Sequence, residues 1–232
     1  MQHILLLHGA IGSEEQLFPL RHELISANHH VHSFNFSGHG GKPVNGPFSI
    51  GLFAEELLSY IEANRLIRPA VFGYSMGGYV AMYAASLYPA LFHKIATLGT
   101  KYKWSPETVA KEIKMLRPDV IAEKVPAFAK MLEKRHGIDR WKPLLQETAD
   151  MLLQLGDEPK LNANNLQKIT SDVLLLIGEK DNMVSQEETA TVAQQVEKGA
   201  VLVLPDTHHP IEQVDVKLLA EKLLFFFEGL SV

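Results

Sequence analysis

The chain has 232 residues, of which 46% are hydrophobic and 21% are charged, a composition typical of a globular domain rather than of a disordered or fibrous protein. Its 22 basic and 27 acidic residues give a formal net charge of −5 with neutral histidines, and no run of Lys and Arg could neutralise a phosphate backbone, so nucleic acid is not an expected partner. The chain has no cysteine, which excludes disulfides, thiolate metal sites and a cysteine nucleophile.

The apolar runs are too short to cross a membrane. None approaches the roughly 20 residues that a helix needs to span a bilayer. The first residues carry neither the basic region nor the small-residue cleavage site of a secretory signal. We therefore predict a cytoplasmic protein with no membrane partner.

Short apolar runs alternate with helical periodicity along most of the chain. We predict strands over four short runs bounded by Gly, Pro, Asp or Asn, which are Ile4–Leu7, Ala70–Phe72, Val173–Ile177 and Val201–Leu204, and over two further runs at the same spacing, Val31–Phe36 and Ile95–Leu98. We predict helices over Leu20–Ala27, Ile50–Asn64, Val80–Leu87, Gln186–Val196 and Leu218–Phe226. This alternation predicts a parallel sheet with helices on both faces.

Local signals support the starts of three of these helices. Ser49 is a predicted N-cap, and Ser185 with Glu188 three residues later forms a capping-box pattern. Pro19 suits the first turn of a helix. The boundaries of the elements are therefore partly set by the local sequence.

The alternation stops between Thr100 and Lys168. One predicted helix begins at Ser105-Pro106-Glu107 and ends at Pro118, and further helical periodicity covers Val120–His136 and Asp139–Leu155. We predict one α/β domain formed by residues 1–100 and 168–232, with a helical insertion at residues 101–167.

A G-x-S-x-G sequence, Gly73-Tyr74-Ser75-Met76-Gly77, lies between a predicted strand and a predicted helix. A turn this tight strains the backbone of the serine, and side chains at the two glycine positions would clash with neighbouring chain. The turn holds the serine hydroxyl out at the carboxyl end of the sheet. Ser75 is therefore a candidate nucleophile.

A serine hydroxyl needs a base to take its proton and an acid to orient that base. Asp181 lies just past the carboxyl end of the fifth predicted strand, and Glu179 two residues earlier is an alternative acid. The sixth predicted strand leads into His208 and His209, either of which could be the base. The order Ser, acid, His on successive strand ends predicts a catalytic triad.

An oxyanion site is the third requirement. The first strand ends in His8-Gly9-Ala10-Ile11-Gly12, a turn whose glycines let the backbone approach the serine. We predict the backbone N–H groups of Ala10 and Met76 as the oxyanion donors. The alternative is that His8-Gly9 is only a tight exit from the strand.

These motifs resemble those of the α/β-hydrolase superfamily, in particular its small cap-bearing serine hydrolases. The resemblance covers residues 1–100 and about 168–232, and it includes Phe34–Gly40, which is similar to the family's D-x-x-G-H-G stretch. It implies an α/β-hydrolase fold, a triad of Ser75, His and Asp181, and a helical cap at residues 101–167. Pro210-Ile211-Glu212 is similar to the family's segment after its histidine, which favours His209 over His208.

The sequence departs from the family pattern in three places. The chain begins at the strand that carries the HG-x-x-G loop, so we expect the family's first two strands to be missing and the sheet to have about six strands. Asn35 stands where the family has Asp, a difference that concerns structure and not the triad. The histidine doublet stands where the family places a small residue before its catalytic histidine.

The cap is expected to supply an apolar cover for the site. Its large apolar side chains should form the cap's own core, with some of them facing the cleft above the serine: Trp104, Met115, Leu116, Phe128, Met131, Trp141, Met151 and Leu152. Basic residues near its start could meet an anionic substrate or form a solvated face: Lys101, Lys103, Lys111, Lys114 and Arg117.

Two further stretches predict no cofactor. His29-His30-Val31-His32 is interpreted as surface histidines, because strand side chains alternate faces and no acidic residue follows at ligand spacing, so no metal is expected. Gly38-His39-Gly40-Gly41 is not a G-x-G-x-x-G motif, which disfavours a dinucleotide site.

The predicted function is hydrolysis of carboxylic esters with small or medium acyl groups, through an acyl-enzyme. The expected partner is a small-molecule ester or another acyl substrate. Alternatives are a C–C bond hydrolase or elimination enzyme of the same fold, and a ligand receptor in which the triad turns over slowly.

Overall fold

A six-stranded parallel sheet forms the centre of the protein, whose computed structural model describes residues 1–229. The spatial order of the strands is β2-β1-β3-β4-β5-β6. The strands are β1 (His3–Leu7), β2 (His30–Ser33), β3 (Ala70–Tyr74), β4 (Lys94–Leu98), β5 (Asp172–Gly178) and β6 (Gly199–Leu204). The predicted fold class and the number of strands are confirmed.

The chain reverses its direction across the sheet beside β1. It runs from β1 outward to β2 and then crosses back to β3 on the other side of β1. In β1, Leu7 is in register with Gly73 at the end of β3, so the loops that follow the two strands lie side by side. Such a switch point at the carboxyl end of a parallel sheet is where α/β proteins place their functional loops.

Ten helices are formed by residues 1–229, and none of them is both long and apolar enough to cross a membrane. They are α1 (Phe18–Ser26), α2 (Ile50–Ala63), α3 (Met76–Leu87), α4 (Pro106–Glu112), α5 (Pro118–Lys124), α6 (Pro126–His136), α7 (Trp141–Asp157), α8 (Ala163–Leu166), α9 (Gln186–Gln195) and α10 (Val216–Glu228).

Both faces of the sheet are buried under helices. Alternate residues of β1 point to opposite sides, so Leu5 packs with α2, α3 and α9 in one hydrophobic cluster, whereas Leu6 packs with α1 and α10 in the other. Both side chains are fully buried. The expectation of helices on both faces is confirmed.

The second strand ends earlier than predicted. The sequence favours a strand to Phe36, but β2 ends at Ser33. Beyond that point the backbone N–H of Phe36 donates to Nε2 of His8 (3.1 Å) instead of to a neighbouring strand. The side chain of His8, directly after β1, therefore takes the place of a neighbouring strand as hydrogen-bond acceptor, and the chain leaves the sheet at this point.

Two of the predicted helix starts show different outcomes. The Ser49 side chain accepts a hydrogen bond from the N–H of Leu52 (3.0 Å), which confirms the N-cap of α2. The Ser185 side chain likewise accepts from the N–H of Glu188 (3.1 Å). The second hydrogen bond of the predicted capping box, from the N–H of Ser185 to the Glu188 side chain, is wrong. The Glu188 carboxylate instead accepts from the N–H of Tyr102 (2.5 Å) in the loop after β4.

Five helices, α4 to α8, lie between β4 and β5, and we call residues 101–167 the helical segment. The predicted continuous helix over Val120–His136 is wrong: the chain breaks at Val125, whose φ of −135° and ψ of 59° are not helical. Pro126 explains the break, because the residue before a proline is driven out of the helical region. Pro118 begins α5 rather than ending α4, which stops at Glu112.

Candidate active site

Ser75 lies on a strained turn between β3 and α3. Its φ of 51° and ψ of −116° are rare for a residue with a side chain, and its N–H donates to the carbonyl of Leu98 (2.8 Å). A Cβ at Gly77 would lie 2.5 Å from the carbonyl oxygen of Leu7, so only glycine fits where α3 crosses the end of β1. The close packing of β1, β3 and α3 thus holds the Ser75 backbone in this conformation.

His209 and Asp181 form a buried pair at the ends of β5 and β6. Nδ1 of His209 lies 2.8 Å from Oδ2 of Asp181, and their side chains are 8% and 1% exposed. The other carboxylate oxygen of Asp181 accepts from the N–H groups of Met183 (2.8 Å) and Val184 (2.9 Å). The Tyr74 hydroxyl donates to the carbonyl of His209 (3.1 Å). Both partners are therefore fixed in position and orientation.

The electrostatics of the pair favour an ionised acid. Burial alone would raise the pKa of Asp181, but the hydrogen bond and the charge of His209, together with the two backbone N–H donors, outweigh burial and hold that pKa below its usual value. An ionised carboxylate accepts the Nδ1 proton, which leaves Nε2 of His209 as the nitrogen that can take a proton.

The two alternatives from the sequence lie elsewhere. His208 is exposed and does not line the cavity that His209 lines. Glu179 is also exposed, and its carboxylate accepts from the N–H of Asp206 (3.0 Å). The structure thus brings Asp181 and His209 together and leaves Glu179 and His208 outside the pair.

One cavity of about 390 Å³ joins the predicted site residues. Ser75, His209, Ala10 and Met76 all line it. Within residues 1–229 no hydrogen bond links the Ser75 hydroxyl to the His209 ring, a looser arrangement than that of His209 with Asp181. Contacts of this kind are often long before substrate binds and tighten in the complex.

Two residues that line the same cavity carry free backbone donors. Within the described part of the chain, the N–H groups of Ala10 and Met76 have no hydrogen-bond acceptor. Met76 is the first residue of α3, and the N–H groups in the first turn of a helix have no partner inside the helix and carry partial positive charge. Both N–H groups are therefore available to an oxygen that carries negative charge.

The helical segment supplies half of the apolar residues that line the cavity. The sequence predicts that most of its large apolar residues form the core of the segment and that some face the cleft, but all except Trp141 line the cavity: Trp104, Met115, Leu116, Phe128, Met131, Met151 and Leu152. Trp141 instead packs in a small core of the segment with Ile121, Leu132 and Leu145. The lining includes five of the seven methionines of the chain, whose unbranched side chains adapt to irregular shapes.

Two ion pairs border the cavity. Nζ of Lys101 lies 2.8 Å from a carboxylate oxygen of Glu112, and Nη2 of Arg135 lies 3.0 Å from Glu212. Lys101 also donates to the carbonyl of Met183 (3.2 Å), in the loop that holds Asp181. Each of these cations is thus neutralised by its own carboxylate.

Sequence comparison places this architecture in a known group. A sequence model of the alpha/beta hydrolase family matches residues 4–221. The chain belongs to the alpha/beta hydrolase family.

Individual members of the family are distant in sequence. Serine hydrolase BPHL of Homo sapiens is 24% identical over 215 residues, which cover 89% of this chain and 72% of that relative. An esterase structure from Thermogutta terrifontis superposes with a TM-score of 0.78 at 19% identity, covering 98% of this chain and 90% of its own. The 2-hydroxy-6-oxo-6-phenylhexa-2,4-dienoate hydrolase of Rhodococcus sp. strain RHA1 gives a TM-score of 0.79 at 19% identity, covering 98% and 91%. At these identities the structural likenesses establish the fold.

Asn35, which departs from the family pattern, and the histidines of residues 29–32 remain to be placed in this α/β-hydrolase. Oδ1 of Asn35 accepts from the N–H of Glu14 (2.8 Å), away from the residues of the predicted triad. The interpretation of His29 as a surface histidine is wrong, since it is only 8% exposed. Nε2 of His32 lies 2.9 Å from Nδ1 of His3. Within residues 1–229 no group of three or more His, Asp or Glu side chains is arranged to hold a metal ion.

Sequence reasoning missed Gly99, which borders the buried pair. A Cβ at this position would lie 3.1 Å from Oδ2 of Asp181 and 3.2 Å from the ring of His209, and its φ is 59°. A glycine directly after a predicted strand was the available signal. The absence of a side chain lets β4 end beside the Asp181–His209 hydrogen bond.

We expect Gly99→Ala to lower kcat for an ester substrate about tenfold, because the new methyl group displaces the orienting carboxylate by a fraction of an ångström. Alanine at this positive φ also lowers the free energy of unfolding by about 1 to 2 kcal/mol. Gly41→Ala is the matched control: Gly41 has a φ of 81° but open space around its Cβ position. It should lose similar stability in thermal unfolding and keep kcat, and equal loss of kcat in both variants would contradict the role of Gly99.

Proposed function

We propose that this α/β-hydrolase cleaves carboxylic esters of small or medium, uncharged acyl groups through an acyl-enzyme on Ser75. The observation that carries the proposal is the buried, hydrogen-bonded pair of Asp181 and His209, which lies in the same cavity as a serine held on a strained turn. A base with its orienting acid close to a serine hydroxyl is the arrangement that activates a serine nucleophile.

The first half of the reaction forms the acyl-enzyme. His209 takes the proton of the Ser75 hydroxyl at Nε2 as the oxygen attacks the acyl carbon, and Asp181 stabilises the resulting imidazolium through Nδ1. The negative charge moves to the former carbonyl oxygen, which the N–H groups of Ala10 and Met76 bind. Collapse of this intermediate breaks the ester bond, and His209 returns the proton to the departing alcohol.

The second half releases the acid. Water attacks the acyl carbon while His209 takes its proton, the same two N–H groups bind the oxyanion, and the bond to Ser75 breaks as the proton returns to the serine oxygen. Residues 101–167 act as the cap, since they supply half of the apolar residues of the cavity wall and limit the access of water to these steps.

The charges around the cavity support an uncharged acyl group. Lys101 and Arg135 are the cations that line it among the described residues, and each is paired with a carboxylate, Glu112 or Glu212. An anionic keto acid, as needed for C–C bond hydrolysis, would have to displace one of these carboxylates, and breaking a partly buried pair is costly. The remaining wall is predominantly apolar and favours a hydrocarbon chain.

A test of the proposal measures hydrolysis of p-nitrophenyl acetate, butyrate and octanoate. The wild-type protein should hydrolyse all three. We expect Leu152→Trp, which enlarges a partly buried wall residue, to lower kcat/KM for the octanoate about tenfold and for the acetate by no more than about twofold. The larger side chain removes room for one or two methylene groups of a long acyl chain, and a loss of that size lowers kcat/KM by about this factor. Leu153→Trp is the matched control, since Leu153 is 47% exposed and does not line the cavity.

The same assays can contradict the proposal. A wild-type protein that cleaves a vinylogous diketone but no ester would favour C–C bond hydrolysis. Labelling of Ser75 by a fluorophosphonate without turnover of any acyl compound would favour a ligand receptor. An equal shift in chain-length preference for Leu152→Trp and Leu153→Trp would remove the cavity as the acyl site.

A further inference from the structure

The loop that carries the Ala10 donor is strained. Ile11, the next residue, has a φ of 51°, a value that is a marked outlier for a β-branched residue. Such a conformation persists only where surrounding groups enforce it. The N–H of Gly12 donates to the carbonyl of Gly9 (3.2 Å), a single long bond within the loop itself. The groups that hold Ile11 must therefore come from outside the loop.

Helix α6 of the helical segment provides those groups. Nε2 of His136 lies 2.9 Å from the carbonyl oxygen of Ile11, and Nη1 of Arg135 donates to the same oxygen (3.3 Å). The Ile11 side chain packs against the small core that α5, α6 and α7 form. The oxyanion loop of the core is thus held by the segment that covers the site.

His136 is itself fixed and neutral. Its Nδ1 accepts the N–H of Gly40 (3.1 Å), so the ring proton lies on Nε2 and is donated to Ile11. The pKa of His136 is lowered to about 4, mainly by burial; the hydrogen bond to Ile11 opposes this effect, and the nearby guanidinium groups of Arg135 and Arg140 add to it. The ring therefore keeps one donor and one acceptor at neutral pH.

We propose that His136 is a positioning residue for the oxyanion site: it holds the Ile11–Gly12 peptide group by its carbonyl, and the N–H of this group donates to the carbonyl of Gly9, which fixes the Gly9–Ala10 peptide group that carries the Ala10 N–H. His136 does not line the cavity, so it acts through Ile11 and does not touch the substrate. This inference rests on the proposed function, because it assigns a purpose to the Ala10 N–H. It makes the helical segment a part of the catalytic apparatus as well as a cover.

The test separates the two hydrogen bonds of the ring. In His136→Gln the amide nitrogen can reach the place of Nε2 and donate to Ile11. In His136→Asn the amide oxygen can replace Nδ1, but residue 136 has no donor that reaches Ile11, and only the longer bond from Arg135 remains. We expect His136→Asn to lower kcat for p-nitrophenyl butyrate about tenfold with KM changed less than about twofold, since an oxyanion donor contributes only in the transition state. His136→Gln should keep kcat within about threefold of the wild type.

An inhibitor supplies a readout that a general loss of structure would not move. An aryl trifluoromethyl ketone adds to the serine and presents an oxyanion to the same two N–H groups. Its inhibition constant should rise in His136→Asn by the same factor by which kcat falls, because both report binding of that oxyanion. If His136→Asn does not fold, His136→Leu, which removes both hydrogen bonds of the ring, replaces it.

Arg140→Gln is the matched control. Nε of Arg140 donates to the carbonyl of Gly38 (3.2 Å), so this residue also fastens the helical segment to a core loop, but to a different one. It should lower the thermal unfolding temperature and leave kcat and the inhibition constant within about twofold of the wild-type values.

The outcomes are distinct. Unchanged kcat in His136→Asn, or equal losses in His136→Asn and Arg140→Gln, would overturn the inference while the hydrolase proposal stands. A wild-type protein that neither hydrolyses esters nor forms the ketone adduct would overturn the proposed function and this inference with it. A selective loss in His136→Asn with recovery in His136→Gln would establish the positioning role.

Discussion

Ser75→Ala should lower kcat for p-nitrophenyl butyrate by about 10³-fold or more, because the residues of an interdependent triad act as a unit and the acyl-enzyme has no other site on which to form. The Ser75→Ala variant is informative for substrate binding as well. Removal of the hydroxyl leaves the apolar wall intact, so affinity for the uncleaved ester should remain. The release of p-nitrophenol measures the loss of turnover, and calorimetric titration measures the retained binding of the ester.

Ser59→Ala controls for the substitution itself. Ser59 is exposed on α2 and does not line the active-site cavity, so this variant should keep the wild-type rate. A fluorophosphonate should add its phosphonyl group to the wild type and to Ser59→Ala, and mass spectrometry of peptides should place it on Ser75. Ordinary turnover by Ser75→Ala would refute the mechanism.

His209→Gln should also lower kcat by about 10³-fold or more, since glutamine cannot take a proton from the serine. The neighbouring His208→Gln makes the same chemical change one residue away. His208 is exposed, whereas His209 contacts Asp181, so His208→Gln should stay within about twofold of the wild type. Comparison of the two rates at the same pH measures the role of each imidazole directly.

The reverse pattern would be decisive against this assignment. If His208→Gln abolished turnover while His209→Gln retained it, the base would be His208, and the contact with Asp181 would have a structural purpose. Equal and small effects of both substitutions would contradict a histidine base altogether. Circular dichroism spectra of both variants keep loss of folding apart from loss of the base.

Much of the site could be predicted because its signals are local. The glycines around Ser75 report a turn that few other residues allow, and their place between a strand and a helix is visible in the sequence. Asp181 could be placed at the end of a strand from the apolar run that precedes it. The choice between His208 and His209 could not be made from spacing, because the conformation of a loop decides which side chain points inward.

Contacts between distant parts of the chain explain what the sequence did not reveal. The hydrogen bond between His136 and Ile11 joins residues 125 positions apart, and neither residue has a local pattern that suggests it. The early end of β2 has the same origin, since the N–H of Phe36 donates to the side chain of His8 and not to a neighbouring strand. The break before Pro126 was predictable from the proline rule, but the apolar periodicity of the segment favoured one continuous helix.

The strand order has a consequence for how activity appears during refolding. Ser75, the proposed nucleophile, follows β3, whereas the proposed acid and base, Asp181 and His209, follow β5 and β6, which among the described strands reach the rest of the sheet through β4. Parallel pairings between sequence-distant strands form late, because the loop between them must close first. A partly assembled chain would contain the serine turn without its base. Recovery of esterase activity would therefore report completion of the whole sheet, and it should lag behind the return of helical signal.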